Sequence, residues 1–448
     1  MTKKFNLLKT FLITIIVLSI LPQAFSQSVD AGQKFDFGNG VVKDGFTMVT
    51  GEMKYDPVRT YGIISDSPVK NVIRDIDDPL LQDFCTSANP FYFVIDLPEG
   101  NYKIKLYMGD EEEATVTTVK AESRRLMLES LKTKPGEFIT KEILVNVRTP
   151  VIDSATNIRL KSREFVYLNW DNKLVLEFND SHPCINAIEI TPAKDILQVF
   201  LAGNSTVVDQ EYEPWCSWGQ MIPNFFSKEV VVVNLAESGE TLKSFKGENR
   251  LKKLLSMIDS GDYVFIEFGH NDQKPQSSSY VKPFIGYKAE LKDYIKQIRL
   301  KGGNPVLASS TQRRSFDSLG IIINTHGDYP KAMHQAAEEE SVPYIDLNAM
   351  SKVLFETLGV EGSKNAFVHY PANSFPGQDK ALADNSHFSP YGAYELAKCI
   401  LQGIIEQDLD LRKYIMNFES YNPQKPDLFE NFSIPSSPSF LYVKPDGN

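Results

Sequence analysis

Several chemical signatures are missing from this sequence, and each absence removes a class of protein. No Gly-x-Ser-x-Gly stands anywhere, so the nucleophile elbow of the α/β-hydrolases is absent. Neither His-Glu-x-x-His nor Cys-x-x-Cys occurs, which removes the common zinc spacings. Basic charge is in deficit: 47 Lys and Arg against 58 Asp and Glu leave a formal net charge of −11. Such a surface argues against nucleic acid or anionic lipid as a partner. Cysteine is sparse. Cys85 and Cys184 fall in the first half of the chain and Cys216 and Cys399 in the second. One disulfide per half and four unpaired buried thiols both remain open, because spacing does not choose among the three pairings of four cysteines.

The one nearly unbroken apolar run, Phe11 to Leu21, is too short to span a bilayer comfortably. Lys3, Lys4 and Lys9 precede or flank it, Pro22 breaks it, and Ala24-Phe25-Ser26 follows with small residues. This is the grammar of a secretory signal over residues 1–26, and it predicts an exported protein, periplasmic or secreted, free of the membrane once cleaved. Cleavage removes three lysines and no acid, leaving the remainder still more acidic.

Two regions with different periodicity follow. Over 27–192 the runs alternate apolar and polar residues: Lys34 to Gly38, Phe91 to Leu97, Tyr102 to Tyr107, Lys173 to Phe178 and Ala187 to Ile190. Turn residues such as Pro98-Glu99-Gly100-Asn101 separate them, which predicts an all-β, antiparallel jelly-roll sandwich. Over 193–420 short continuous apolar runs take over: Ile196–Ala202, Val230–Leu235, Tyr263–Phe268, Pro305–Ala308 and Tyr344–Leu347. Stretches of helical spacing, including Tyr287–Gly302 and Tyr329–Glu340, lie between them. Strands covered on both faces read this way, so a short parallel sheet between two helical layers is expected. A Pro- and Ser-rich tail occupies 421–448.

In an open parallel sheet, ligands bind beyond the carboxyl ends of the strands. Those ends carry Gly203-Asn204-Ser205-Thr206, Ala236-Glu237-Ser238-Gly239, Gly269-His270-Asn271-Asp272 and Ser309 to Arg314. Asp384-Asn385-Ser386-His387 is expected in a loop before a helix starting near Pro390. Together these residue types suit acyl transfer. A serine hydroxyl needs a base, histidine serves near neutral pH, and a carboxylate three residues earlier can hold the imidazole's tautomer. Backbone N–H groups at a strand-to-helix turn and a side-chain amide can stabilise the oxyanion, each worth about 3–4 kcal/mol in the transition state. Ser205, Gly239 and Asn271 would be those donors.

Over Ile196 to Gly403 the blocks resemble the SGNH, or GDSL, hydrolase superfamily. Phe200 to Val207, Asn234-Leu235-Ala236 with Gly239, Gly269-His270-Asn271-Asp272 and Asp384-xx-His387-Phe388 are most similar to its rhamnogalacturonan acetylesterase branch. The resemblance implies a flavodoxin-like α/β/α domain, Ser205 as nucleophile, His387 as base and Asp384 as its orienter, with no cofactor. It also implies an acetylated pectic polysaccharide as partner. The region before it resembles the galactose-binding-like sandwiches joined to carbohydrate enzymes, where Tyr55, Tyr61 and Trp170 could stack on sugars. One residue departs from the pattern: the family usually has Asp where this chain has Asn204, which keeps the shape but loses the charge. Arg313 and Arg314 are expected at the cleft rim, where a guanidinium suits a uronic-acid carboxylate. His270 and His326 are further candidates for substrate contact. Two other readings stay open: an acetyl-xylan or general short-chain esterase, and a carbohydrate-binding protein with a decayed hydrolase domain.

Overall fold

In the computed structural model, residues 32–440 and 444–446 are described. The signal sequence expected over 1–26 lies outside the described residues. Among the described residues no helix is long and apolar enough to cross a membrane.

Alternation in the first region translates directly into a sandwich. Along Gly100–Asp110 the side chains of Tyr102, Ile104, Leu106 and Met108 are buried, while Lys103, Lys105 and Tyr107 are only half-buried. This strand lies between Glu137–Val147 and Ala187–Pro192 in a five-stranded sheet that continues through Gln33–Phe37 to Thr47–Val49. A second five-stranded sheet orders Tyr61–Ile64, Phe91–Asp96, Lys173–His182, Thr115–Ala121 and Arg125–Thr133. Phe35, Phe37, Phe91, Phe93 and Phe178 fill the space between them. The pairing is antiparallel except for Gln33–Phe37 with Thr47–Val49, which run parallel.

The second region forms one parallel sheet of five strands: β1 (Leu197–Gly203), β2 (Val230–Asn234), β3 (Tyr263–Glu267), β4 (Asn304–Ala308) and β5 (Tyr344–Ile345). Their order is β2-β1-β3-β4-β5, the flavodoxin-like order, with its switch point between β1 and β3. Alternate residues of β1 feed opposite layers. Val199 and Leu201 pack with the helices Leu347–Gly362 and Pro390–Glu406. Phe200 and Ala202 pack with Lys288–Leu300 and Tyr329–Glu340. The residues Asp384 to His387, expected in a loop, instead belong to the strand Leu382–Phe388, which pairs antiparallel with Phe367–Tyr370. Phe367 and Phe388, with ring centroids 5.1 Å apart, anchor that ribbon in the core.

The two regions share a charged, buried boundary. Leu126 and Leu144, on sandwich strands, each join one of the apolar layers flanking the parallel sheet. Asp209 receives Arg125 at 3.2 Å and Arg148 at 3.8 Å, and Arg124 pairs with Glu213 at 2.6 Å. The tail returns across this boundary: Lys120 donates to the Pro435 carbonyl at 2.6 Å, and the Ser437 amide donates to Glu213 at 2.9 Å. All four thiols are free and buried, so the disulfide-free alternative is the one this fold adopts.

Candidate active site

Gly203 ends β1 beside Glu267 at the end of β3, and the chain must then turn sharply to leave the sheet. Asn204 makes that turn. Its Oδ1 accepts the Thr206 amide at 3.1 Å, and its carbonyl accepts the amides of Val207 and Val208 at 3.0 Å each. No helix continues the turn, the next being Trp218–Met221, so the strand-to-helix turn expected here is a turn into a loop. Glu267 lies beneath, fully buried, accepting Thr206 Oγ1 at 2.8 Å and Trp218 Nε1 at 2.6 Å. Burial pushes its carboxyl up to about 7 against the pull of those two bonds. Gln210 adds a brace, donating to the Ser205 carbonyl at 2.8 Å.

Ser205 and His387 are 182 positions apart, yet Ser205 Oγ stands 3.0 Å from His387 Nε2. On the other side of the ring, His387 Nδ1 is 2.7 Å from Asp384 Oδ2. The carboxylate is itself held: Oδ1 accepts the amides of Ser386 at 2.9 Å and His387 at 3.1 Å, and Trp215 Nε1 donates to Oδ2 at 3.3 Å. Burial alone would raise the Asp384 carboxyl, but the hydrogen bond and charge of His387 outweigh it and hold it well below the usual carboxylate range. A carboxylate thus faces Nδ1, which leaves Nε2 free to accept the serine proton.

Two of the expected oxyanion donors, Gly239 and Asn271, lie on loops that are tied to each other. Gly239 has φ +83°, which suits a residue without Cβ. Asp272 ties the second and third blocks together, accepting the amides of Leu242 and Gly269 at 2.9 Å each. Asn271 is thereby set against the Gly239 loop, donating one amide hydrogen to the Glu240 carbonyl at 3.0 Å and leaving the other. Burial raises Asp272 to about 7.

The remaining candidates lie in different surroundings. His270 and His326 are buried with ring centroids 4.6 Å apart. His326 donates Nε2–H to the Thr311 carbonyl at 2.8 Å, and His270 Nε2 meets Thr311 Oγ1 at 3.2 Å. Burial keeps His326 at about 3 and His270 well below the ordinary value, so both are neutral. Arg313 donates to the His270 carbonyl and to Thr325 Oγ1, each at 3.2 Å. Arg314 turns away to Val360, Ser363 and Asn385. Two groups of cations missed by sequence reasoning lie beside Gly239 and Asp384. Lys161 and Arg163, from the first region, both donate to the Ser238 carbonyl, and Lys444 of the tail lies 3.3 Å from Asp384. No motif marks these residues; only the docking of the two regions brings them there.

A parallel sheet in flavodoxin-like order, with serine, glycine and asparagine at its carboxyl edge and a His-Asp pair closing on the serine, defines a class. The chain belongs to the GDSL-like lipase/acylhydrolase family, whose profile matches residues 201–392, and it is an esterase. Residues 33–129 match the galactose-binding-like domain of β-agarase/YXIM esterase-like proteins. Rhamnogalacturonan acetylesterase RhgT of Bacillus subtilis (strain 168) is 43% identical over 228 residues, spanning 97% of that protein and 50% of this chain. The uncharacterized esterase YxiM of the same organism is 26% identical over 388 residues, spanning 91% of it and 84% of this chain. A crystal structure of the Bacillus subtilis YXIM protein superposes with a TM-score of 0.44 at 24% identity, covering 85% of this chain and 99% of that one.

Proposed function

We propose that this chain is an exported carbohydrate esterase that removes acetyl groups from rhamnogalacturonan, with Ser205 as nucleophile. Ser205 Oγ attacks the acetyl carbonyl while its proton passes to His387 Nε2. The Ser205 and Gly239 amides and the Asn271 side-chain amide receive the oxyanion. As the tetrahedral intermediate collapses, the bond to the sugar oxygen breaks and that oxygen takes the proton from His387. Water then repeats the sequence: His387 removes its proton, the acetyl–serine bond breaks, and acetate and free Ser205 result.

The observation that carries this reading is the 3.0 Å approach of Ser205 Oγ to His387 Nε2, backed by the 2.7 Å bond to Asp384. Support for the substrate is the 43% identity to a protein named rhamnogalacturonan acetylesterase. Acetate release from acetylated rhamnogalacturonan, measured with Ser205→Ala alongside, tests it. The variant should lose activity by about 10⁴-fold or more. Equal release by both proteins would remove Ser205 from the mechanism, and release from acetylated xylan alone would overturn the substrate.

A further inference from the structure

A cleft of about 320 Å³ opens beside the triad, walled by Arg163 and Tyr167 of the first region, Gln210 and Trp215, and Lys444–Asp446 of the tail. Trp215 reaches from it to Asp384, and Ser238 on its floor immediately precedes Gly239. Two cations from outside the hydrolase domain meet at this spot. Lys161 Nζ donates to the Ser238 carbonyl at 2.6 Å and lies 3.7 Å from where a Cβ on Gly239 would stand. Arg163 Nη2 donates to the same carbonyl at 2.8 Å, while its Nε donates to Glu237 at 3.0 Å.

Those bonds fix the Arg163 guanidinium and turn Nη1 toward the cleft, where the carboxylate of Asp446 pairs with it. The two partners differ in how they are held. Arg163 is anchored to groups that are themselves buried, whereas the Asp446 side chain is 64% exposed. Its Cβ comes within 3.2 Å of the position a Cβ on Gly239 would take. A solvated tail carboxylate therefore rests on a pre-oriented arginine next to the oxyanion glycine. Exposed pairs of this kind contribute little to stability, but a guanidinium already held in place is a ready receptor for a carboxylate.

We propose that Arg163, which lines the cleft while Lys161 is held by the buried Glu240 carboxylate, is a specificity-determining residue that receives a carboxylate of an acidic sugar of the substrate. Asp446 occupies that position in the free enzyme and gives way to substrate. The inference rests on the esterase reading of Ser205 and adds to it the group that distinguishes an acidic polysaccharide from a neutral one. It also assigns the first region a part in the site, since no residue of the hydrolase domain supplies this guanidinium.

The test compares kcat/KM for acetylated rhamnogalacturonan oligosaccharides, which carry carboxylates, with kcat/KM for p-nitrophenyl acetate, which carries none, in the full chain. Arg163→Gln should lower the ratio about tenfold, the loss of one charge-assisted bond, with the change in KM rather than kcat. Arg163→Lys should restore part of it. Asp446→Asn, a change at an exposed side chain, should raise the ratio by about threefold as the competing carboxylate disappears. An unchanged ratio in Arg163→Gln, or a ratio that falls in Asp446→Asn, overturns the proposal. Absence of p-nitrophenyl acetate hydrolysis by the unaltered chain would instead sink the esterase reading, so the two failures are told apart.

Discussion

Asn271 has two amide hydrogens and spends one on the Glu240 carbonyl. The other is the group expected to meet the oxyanion, and its value is felt only when negative charge develops there. Asn271→Ala should therefore lower kcat by about 10²–10³-fold with little change in KM, checked by steady-state hydrolysis of a soluble acetyl ester. Asn204 poses a different question at the same scale. Its Oδ1 still accepts the Thr206 amide, so the turn that presents Ser205 does not need a negative charge at this position. The buried Glu267 carboxyl stands two hydrogen bonds away through Thr206 Oγ1. A second carboxylate at position 204 would add like charge to a site where burial already disfavours one.

Glu267 closes β3, and its ionisation belongs to the element as much as to the residue. Its carboxyl is raised from 4.5 to about 7 by burial. Between those values the unfolded chain is ionised while the folded one still holds the proton, so stability falls as pH rises through this window and levels off above it. When Glu267 carries the proton the bond to Thr206 reverses: Glu267 donates to Thr206 Oγ1, and Thr206 gives its one hydrogen to Asn204 Oδ1, a chain of bonds under the Ser205 turn. Glutamine at 267 reproduces that pattern without a titrating group. Glu267→Gln should flatten the fall of Tm between pH 5 and 7, as read by thermal unfolding across that range. A slope as steep as that of the unaltered chain would show that Glu267 is ionised throughout. Asp272, also raised to about 7, adds a slope of the same sign.

At the scale of the whole molecule, the sandwich and the hydrolase domain are joined through buried charge. Asp209 is fully buried and faces both Arg125 and Arg148. Taking one partner from such a cluster leaves uncompensated charge away from water. Asp209→Asn should destabilise the chain by about 3–5 kcal/mol, measured by denaturant unfolding. A loss within about 1 kcal/mol would mean that the arginines find other acceptors. The same junction carries Lys161 and Arg163 to Gly239, so weakening it should also reduce selectivity for acidic substrates.

Much was legible in the residues because local rules govern it. Alternation in Tyr102 to Met108 sets a half-covered strand, and the unbroken Val230 to Val233 sets one covered on both faces, whatever tertiary contacts follow. Ser205, Gly239 and Asn271 were recognisable because each follows such a run, and strand ends in a parallel sheet share one edge. Asp384 and His387 were legible as a pair, but their place in a paired strand was not, since the pairing with Phe367–Tyr370 is made between segments that turn residues do not join as a tight hairpin. The sequence by itself determined the two periodicities and the order of the blocks that carry Ser205, Gly239, Asn271 and His387. Only the tertiary structure decided that a sandwich arginine and a tail aspartate meet at Gly239, because docking depends on complementary shape and charge between surfaces far apart in the chain.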